Sequence, residues 1–355
     1  MEASAATTYE VVGVMSGSSL DGLDLAWCQL RLDRGRWAYN VREARTVPYD
    51  AAFRTRLVAA MDGSAVELAR LHRDLGRLIG TACRELVGEM PAGLIASHGH
   101  TVFHKPEEGL TTQLGCGAHI AATSGITTVC DFRTTDVALG GQGAPLVPLG
   151  ERLLFPDHKA FLNIGGICNI ALHAADRVVG YDVCIGNQAL DFLAQEAGLA
   201  YDANGDLARS GTIATDLLEA LNELPFHRQP PPRSLGREWF DATVKPLIAR
   251  SQWSVADRMA TVVAHMAEQL TYALEPAKGP VLVTGGGAHN AYLLERLRSL
   301  CAVALEVPDA RTVDYKEAVI FALLGVLRLR EEATALASVT GAAGDSVGGA
   351  VYAAN

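Results

Sequence analysis

Gly13-Val14-Met15-Ser16-Gly17-Ser18-Ser19-Leu20-Asp21-Gly22-Leu23-Asp24 decides how the rest of the chain is read. An apolar strand, Val11 to Val14, enters a turn of Gly and Ser and leaves it as a second apolar run, Leu25 to Leu30. Small residues let backbone N–H groups approach an anion closely, and hydroxyls add donors. Asp21 and Asp24 stand beside that turn, where a carboxylate would be repelled by an anion unless a metal cation mediates. The pattern points to a loop holding metal-bound phosphate, against the plainer reading of an ordinary hairpin.

Bulk properties frame that reading. At 355 residues the chain is too long for one compact core and about right for two lobes. A net charge of −10 disfavours a nucleic-acid partner, because phosphate backbones need clustered Lys and Arg. No uninterrupted apolar run approaches about 18 residues, so no membrane span is expected, and the acidic start MEASAATTYE does not read as a signal peptide. The cysteines at 28, 83, 116, 130, 168, 184 and 301 form no CxxC or zinc spacing. They read as buried thiols in a reducing cytoplasm.

Periodicity supports an α/β class. Residues 64 to 88 place Leu68, Leu71, Leu75, Leu78, Ile79, Ala82 and Leu86 at helical spacing behind a Ser64/Glu67 capping box. Residues 255 to 274 repeat the pattern, and short strands are expected at Leu94–Ser97, Thr127–Cys130, Phe161–Ile164 and Val281–Thr284. Pro225 to Arg237 reads as a rigid surface excursion. An internal echo carries more weight. The strand, Gly turn and strand at 11 to 30 recur at Phe161–Ala171 around Gly165-Gly166, and a third strand ends at Thr284-Gly285-Gly286-Gly287-Ala288-His289-Asn290 before a helical pattern. Three such backbone clamps in one order would surround a shared cleft.

With these motifs in hand, the chain resembles the anhydro-N-acetylmuramic acid kinase family. The resemblance rests on GVMSGSSLDGLD (13–24), SHGHTVFHKP (97–106), DFRTTDVALGGQGAPLVP (131–148), LNIGGICNI (162–170), GYDVCIGN (180–187), YDANGDLARSG (201–211) and VTGGGAHN (283–290). It implies an actin-like (ribonuclease H-like) two-lobe ATPase fold with a nucleotide and sugar cleft between lobes. The lobes are expected at 1–136 and 137–334, with residues from about 335 returning to the first. The implied reaction uses ATP and Mg2+, hydrolyses a 1,6-anhydro bond and phosphorylates O6. A cytoplasmic homodimer serving peptidoglycan recycling is implied as well.

The family motifs assign roles by position. Asp182 matches the general base and Glu317 a second carboxylate near the sugar. Gly17, Ser18, Ser19, Leu20, Asp21, Gly22, Leu23 and Asp24 match the first phosphate loop, with Asp21 and Asp24 toward Mg2+ directly or through water. Gly165, Gly166 and Asn169 match the second phosphate hairpin, and Gly285, Gly286, Gly287 and Asn290 the adenosine turn. His98, His100, Arg133, Asp136 and Asn187 match substrate contacts. A zinc reading of His98, His100 and His104 fails, since no Cys or carboxylate completes a ligand pattern.

Two departures bear on the substrate. Cys184-Ile185-Gly186-Asn187 stands where the family commonly has Gly-Pro-Gly-Asn, and Arg133 is followed by Thr134 and Thr135 rather than further arginines. Ser18 replaces a usual Thr and keeps the hydroxyl. Fewer basic groups would suit a sugar without the lactyl carboxylate, so a levoglucosan-type kinase is the alternative. A nucleotide-dependent sugar sensor without turnover is a third reading, disfavoured by retention of both carboxylates.

Overall fold

The opening motif is a hairpin at the centre of a sheet. A computed structural model describes residues 6–17, 20, 22–90, 92–174, 178–231, 233–249 and 252–354. Ser18, Ser19 and Asp21 therefore lie outside the described residues. Strand β1 (Thr7–Met15) pairs antiparallel with β2 (Gly22–Asp33), which pairs antiparallel with β3 (Arg36–Pro48). On the other side of β1 come β4 (Leu94–Ser97) and then β7 (Thr128–Cys130), both parallel to it. The strands β5 (His100–Lys105) and β6 (Leu110–Leu114) form a separate hairpin.

The same plan recurs later in the chain. β8 (Ala160–Ile164), β9 (Ile167–His173) and β10 (Val178–Ile185) run antiparallel in sequence, while β11 (Val281–Thr284) and β12 (Leu305–Glu306) add in parallel on the far side of β8. Each sheet thus reads third, second, first, fourth, fifth strand, with the second antiparallel to the first. The first sheet adds β13 (Ala350–Tyr352) against β7. This repeated order is the ribonuclease H-like topology of actin-like ATPases, and it explains the internal echo in the sequence.

Helices form where the periodicity placed them. The helix Ala65–Val87 starts at Ser64, whose side chain accepts from the Glu67 N–H at 3.2 Å. The Glu67 carboxylate turns to Arg56 and Arg70 instead of completing the box. The helix packs Leu71, Leu75, Ile79 and Leu86 with Val12, Val14, Leu25 and Ile95. Because side chains alternate along a strand, Gly13 faces the opposite side. A Cβ there would lie 1.8 Å from the Ala318 carbonyl oxygen of the helix Ala310–Leu329, so only glycine lets that helix seat on β1. In the second sheet Leu162, Ile164, Val281 and Val283 pack with Met259, Val263, Met266 and Leu270 of the helix Val255–Leu274.

The chain divides into two compact units, residues up to Pro156 with Tyr315 onward, and Asp157–Asp314. These bounds differ from the expected 136/137 break and return near 335. Residues 137–156 stay with the first unit because Gly150 sits tight under Ile320 and Glu151 pairs with Lys316. The second boundary falls inside the helix Ala310–Leu329, whose later turns lie on Gly13 and Ala96. The cysteines are unpaired, five of them buried, with Cys116 and Cys301 partly exposed. Among the described residues, no helix is long and apolar enough to cross a membrane.

Candidate functional site

In the first unit, the parallel strands β1, β4 and β7 end together and their C-terminal residues make a polar cluster. Ser16 Oγ lies 2.7 Å from the Tyr49 hydroxyl and 3.2 Å from His100 Nδ1. His98 Nδ1 stands 2.9 Å from the Gly99 carbonyl oxygen, which can only accept, so that nitrogen carries the proton. Its Nε2 then accepts from Arg133 Nε at 2.9 Å. Burial first, and the Arg133 charge second, hold the His98 ring neutral, with its pKa lowered to about 3. Both His98 nitrogens are therefore occupied by the protein, and Nε2 is turned to Arg133, the motif's other candidate substrate contact.

Arg133 also donates to the Gly143 carbonyl at 2.7 Å. Burial lowers its pKa to about 10, opposed by the nearby Glu317 carboxylate. Glu317 is half-buried, and burial pushes its pKa up, countered by Lys316 and Arg133. Lys316 itself pairs with Glu151 at 2.8 Å in the interior. That ion pair lies outside the sequence motifs, although a Lys next to the motif carboxylate was the available signal.

Asp136 departs from its expected role. It is fully buried, and its two oxygens accept from the Gly143 N–H and the Thr340 hydroxyl, each at 2.7 Å. Through these bonds Asp136 holds the 140–143 loop and ties it to Thr340. In the first loop, Leu20 takes a left-handed φ of 57° and its N–H reaches the Gly17 carbonyl at 3.4 Å. Gly22 is required by β3, since a Cβ would meet the Val47 oxygen at 2.3 Å, and Leu23 is wholly in the core. Asp24 accepts from the Thr46 hydroxyl at 2.6 Å. Among the described residues, no group of three or more His, Cys, Asp or Glu side chains could hold a metal ion.

A cavity of about 220 Å³ adjoins this cluster, lined by His72, His98, Gln113, Asp131, Thr134 and Tyr352 among others. Thr134, one of the departures, donates to Asp131 at 2.5 Å. His72 accepts the Gly115 N–H on Nδ1 at 3.2 Å, which leaves its proton on Nε2. The motif reading missed His72 and Tyr352, which lie far apart in sequence and meet only in the fold.

The second unit gathers its candidates more tightly. Asn169 on β9 stands directly opposite Asp182 on β10, and the ladder slips between Asp182 and Cys184. Such a bulge re-aims a strand side chain. Asp182 is half-buried, and burial raises its pKa against the Leu235 N–H bond and the Arg233 charge. The Gly165-Gly166 turn is tied by its carbonyls to the N–H groups of Gly186, Asn187 and Gln188 at 2.9 to 3.3 Å. Asn187 also borders Gly286 and Gly287. Asn290 caps the helix Ala291–Leu300 by accepting the Leu293 N–H at 2.9 Å, so its oxygen serves the fold. Ile185, the bulky departure, is absorbed into the core.

The glycines separate into two kinds. A Cβ on Gly287 would lie 2.2 Å from Ile164 Cγ2, and Gly285 has a left-handed φ of 84° with Asn163 Oδ1 at 2.6 Å from its Cβ position. Packing requires both. At Gly165, Gly166 and Gly286 a Cβ would meet nothing closer than 3.4, 3.9 and 3.6 Å, and none has a left-handed φ. The fold itself makes no demand for glycine at these positions. Bare backbone there fits close approach by an anionic ligand such as a nucleotide phosphate.

Comparison with known proteins shows which family the chain belongs to. A family model described as anhydro-N-acetylmuramic acid kinase matches residues 9–354. A protein of that name from Gloeobacter violaceus is 38% identical, covering 93% of this chain and 95% of its own. Its namesake from Xanthomonas axonopodis pv. citri is also 38% identical, covering 96% and 97%. The protein from Sulfurimonas denitrificans is 32% identical, covering 96% and 98%. With a full-length family match and relatives this similar along nearly their whole length, the chain belongs to the anhydro-N-acetylmuramic acid kinase family.

Proposed function

We propose that this chain is an ATP-dependent kinase that opens the 1,6-anhydro bond of anhydro-N-acetylmuramic acid and phosphorylates O6. A 1,6-anhydro sugar has no free O6 hydroxyl, so phosphoryl transfer cannot start from an alcohol. Water adds to C1, the C1–O6 bond breaks, and O6 takes the γ-phosphoryl group as its bond to the β-phosphate breaks and ADP leaves, while the water proton passes to a base. Bound Mg-ATP supplies the phosphoryl group and neutralises its charge. Asp182 is the base. The observation that carries this is its placement at a bulge, half-buried, opposite Asn169 and with a raised proton affinity.

The remaining residues bind and orient. The open backbone at Gly165, Gly166 and Gly286 suits nucleotide, and Gly17 with Asp24 serves the first phosphate loop. Arg133, locked by His98, donates to sugar or phosphate, and Glu317 orients the attacking water. Asp24 and Asp21, the latter outside the described residues, would hold Mg2+, directly or through water. Free thiols suit a reducing cytoplasm, and the family resemblance alone supports a homodimer acting in peptidoglycan recycling. The Thr134–Asp131 bond consumes a hydroxyl where a basic group would favour a lactyl carboxylate, which keeps levoglucosan as the second reading. Asp182→Asn tests the base: it should retain ATP affinity and lose about 10²- to 10⁴-fold in turnover. Parent-like turnover in that variant overturns the assignment.

A further inference from the structure

The excursion from Pro225 to Arg237 contains no catalytic motif, yet it is fastened to Asp182 at the backbone N–H, the backbone carbonyl and one carboxylate oxygen. β10 is an edge strand of its sheet, so its outward backbone groups need partners from elsewhere. The Asp182 N–H donates to the Arg233 carbonyl at 3.0 Å. The Asp182 carbonyl accepts from Arg233 Nε at 3.1 Å, and its carboxylate Oδ2 accepts the Leu235 N–H at 2.8 Å.

Arg233 also holds the near end of the same segment. Its Nη1 lies 3.2, 3.0 and 2.8 Å from the carbonyls of Phe226, His227 and Gln229. Its guanidinium stands over the rings of Tyr181 and Phe226, at 5.3 and 4.9 Å. Phe226 is itself buried and packs on Trp239. One planar fork therefore ties both ends of the excursion to the strand that carries the carboxylate, which lysine, a single point charge, cannot reproduce.

We propose that Arg233 is a positioning residue, tying residues 226–229 and 233–235 as a strap along the edge of β10 so that the Leu235 N–H fixes the direction of the Asp182 carboxylate. This rests on Asp182 being the base. A carboxylate held by one oxygen presents the other for proton transfer in a single orientation. The Leu235 bond and the Arg233 charge also favour the ionised form against burial. The other titratable groups around it stay neutral at working pH: Cys168 across the ladder, its pKa raised well above the usual thiol, Tyr181 with its pKa raised, and His227 on the strap, lowered to about 4.

The test compares Arg233→Gln and Arg233→Lys with the parent, following kcat and KM against pH and hydrogen exchange of peptides covering 180–185, 226–237 and 255–274. Arg233→Gln should lower kcat about 10- to 100-fold with KM for both substrates within about threefold. The acid limb of kcat should move to higher pH, and exchange should rise in 180–185 and 226–237 but not in 255–274. Arg233→Lys should restore the limb more than kcat. It carries the test alone if exchange in 255–274 shows that the Gln variant has unfolded. Unchanged exchange in the strap, or raised exchange with parent kcat and an unmoved limb, overturns the proposal. Asp182→Asn run alongside separates the two ideas, since turnover retained there refutes the base while exchange still reports the strap.

Discussion

Replacing Gly166 by alanine should leave the fold intact and weaken nucleotide binding. The added Cβ meets only the Gln188 Cβ, at 3.9 Å, which is ordinary van der Waals contact, and no left-handed φ is involved. Stability should therefore stay within about 0.5 kcal/mol of the parent. If backbone N–H groups of this turn hold a phosphate, the methyl group blocks their approach. Losing one hydrogen bond to a charged group costs about 1.5–3 kcal/mol, or about 10- to 150-fold in affinity. Gly287→Ala is the contrast, because its Cβ would overlap Ile164 Cγ2 at 2.2 Å. It should lose about 1–3 kcal/mol, with a Tm fall of about 2–4 °C for each kcal/mol. The assay pairs thermal unfolding with ATP titration at fixed Mg2+. A Gly166→Ala protein that is destabilised, or that binds ATP as the parent does, refutes the division of glycines into structural and ligand-facing.

Two further outcomes follow from buried charge. His227 and His265 face each other with centroids 4.9 Å apart, and burial lowers their pKa values to about 4 and about 3. Both are neutral when folded and take protons more readily when unfolded, so their contribution is full above pH about 6.5 and is lost as pH falls toward those values. At pH 5 each should cost about 2 kcal/mol, read as a drop in the urea midpoint between pH 7.5 and 5; a flat midpoint contradicts it. Lys316→Met breaks the buried ion pair with Glu151 and should cost about 3–5 kcal/mol, largely recovered by adding Glu151→Leu. A single variant as stable as the parent contradicts that.

Local pattern carried much of this fold. The 3.6-residue period marked the helices at 65–87 and 255–274, the first also by its Ser64 cap, and the repeated Gly turns foreshadowed the repeated topology. Motifs could not separate a glycine that packing requires, such as Gly287, from one that packing leaves free, such as Gly166, because both read simply as Gly. Nor could they show that Asp136 and Asn290 spend their oxygens on a loop and a helix end. The Arg233 strap was illegible for another reason. Its partners are backbone carbonyls at 226, 227, 229 and 182, and carbonyls leave no trace in residue identity. The unit boundaries shifted because Gly150 and Glu151 are held by residues more than 150 positions away.

The most direct measurement is coupled ADP release with Mg-ATP against 1,6-anhydro-N-acetylmuramic acid, levoglucosan, free N-acetylmuramic acid and glucose. The proposed function predicts turnover with the first sugar, giving the 6-phosphate of the ring-opened product, and little with the others. Preference for levoglucosan or a free hexose, or no ADP release with any anhydro sugar, contradicts it.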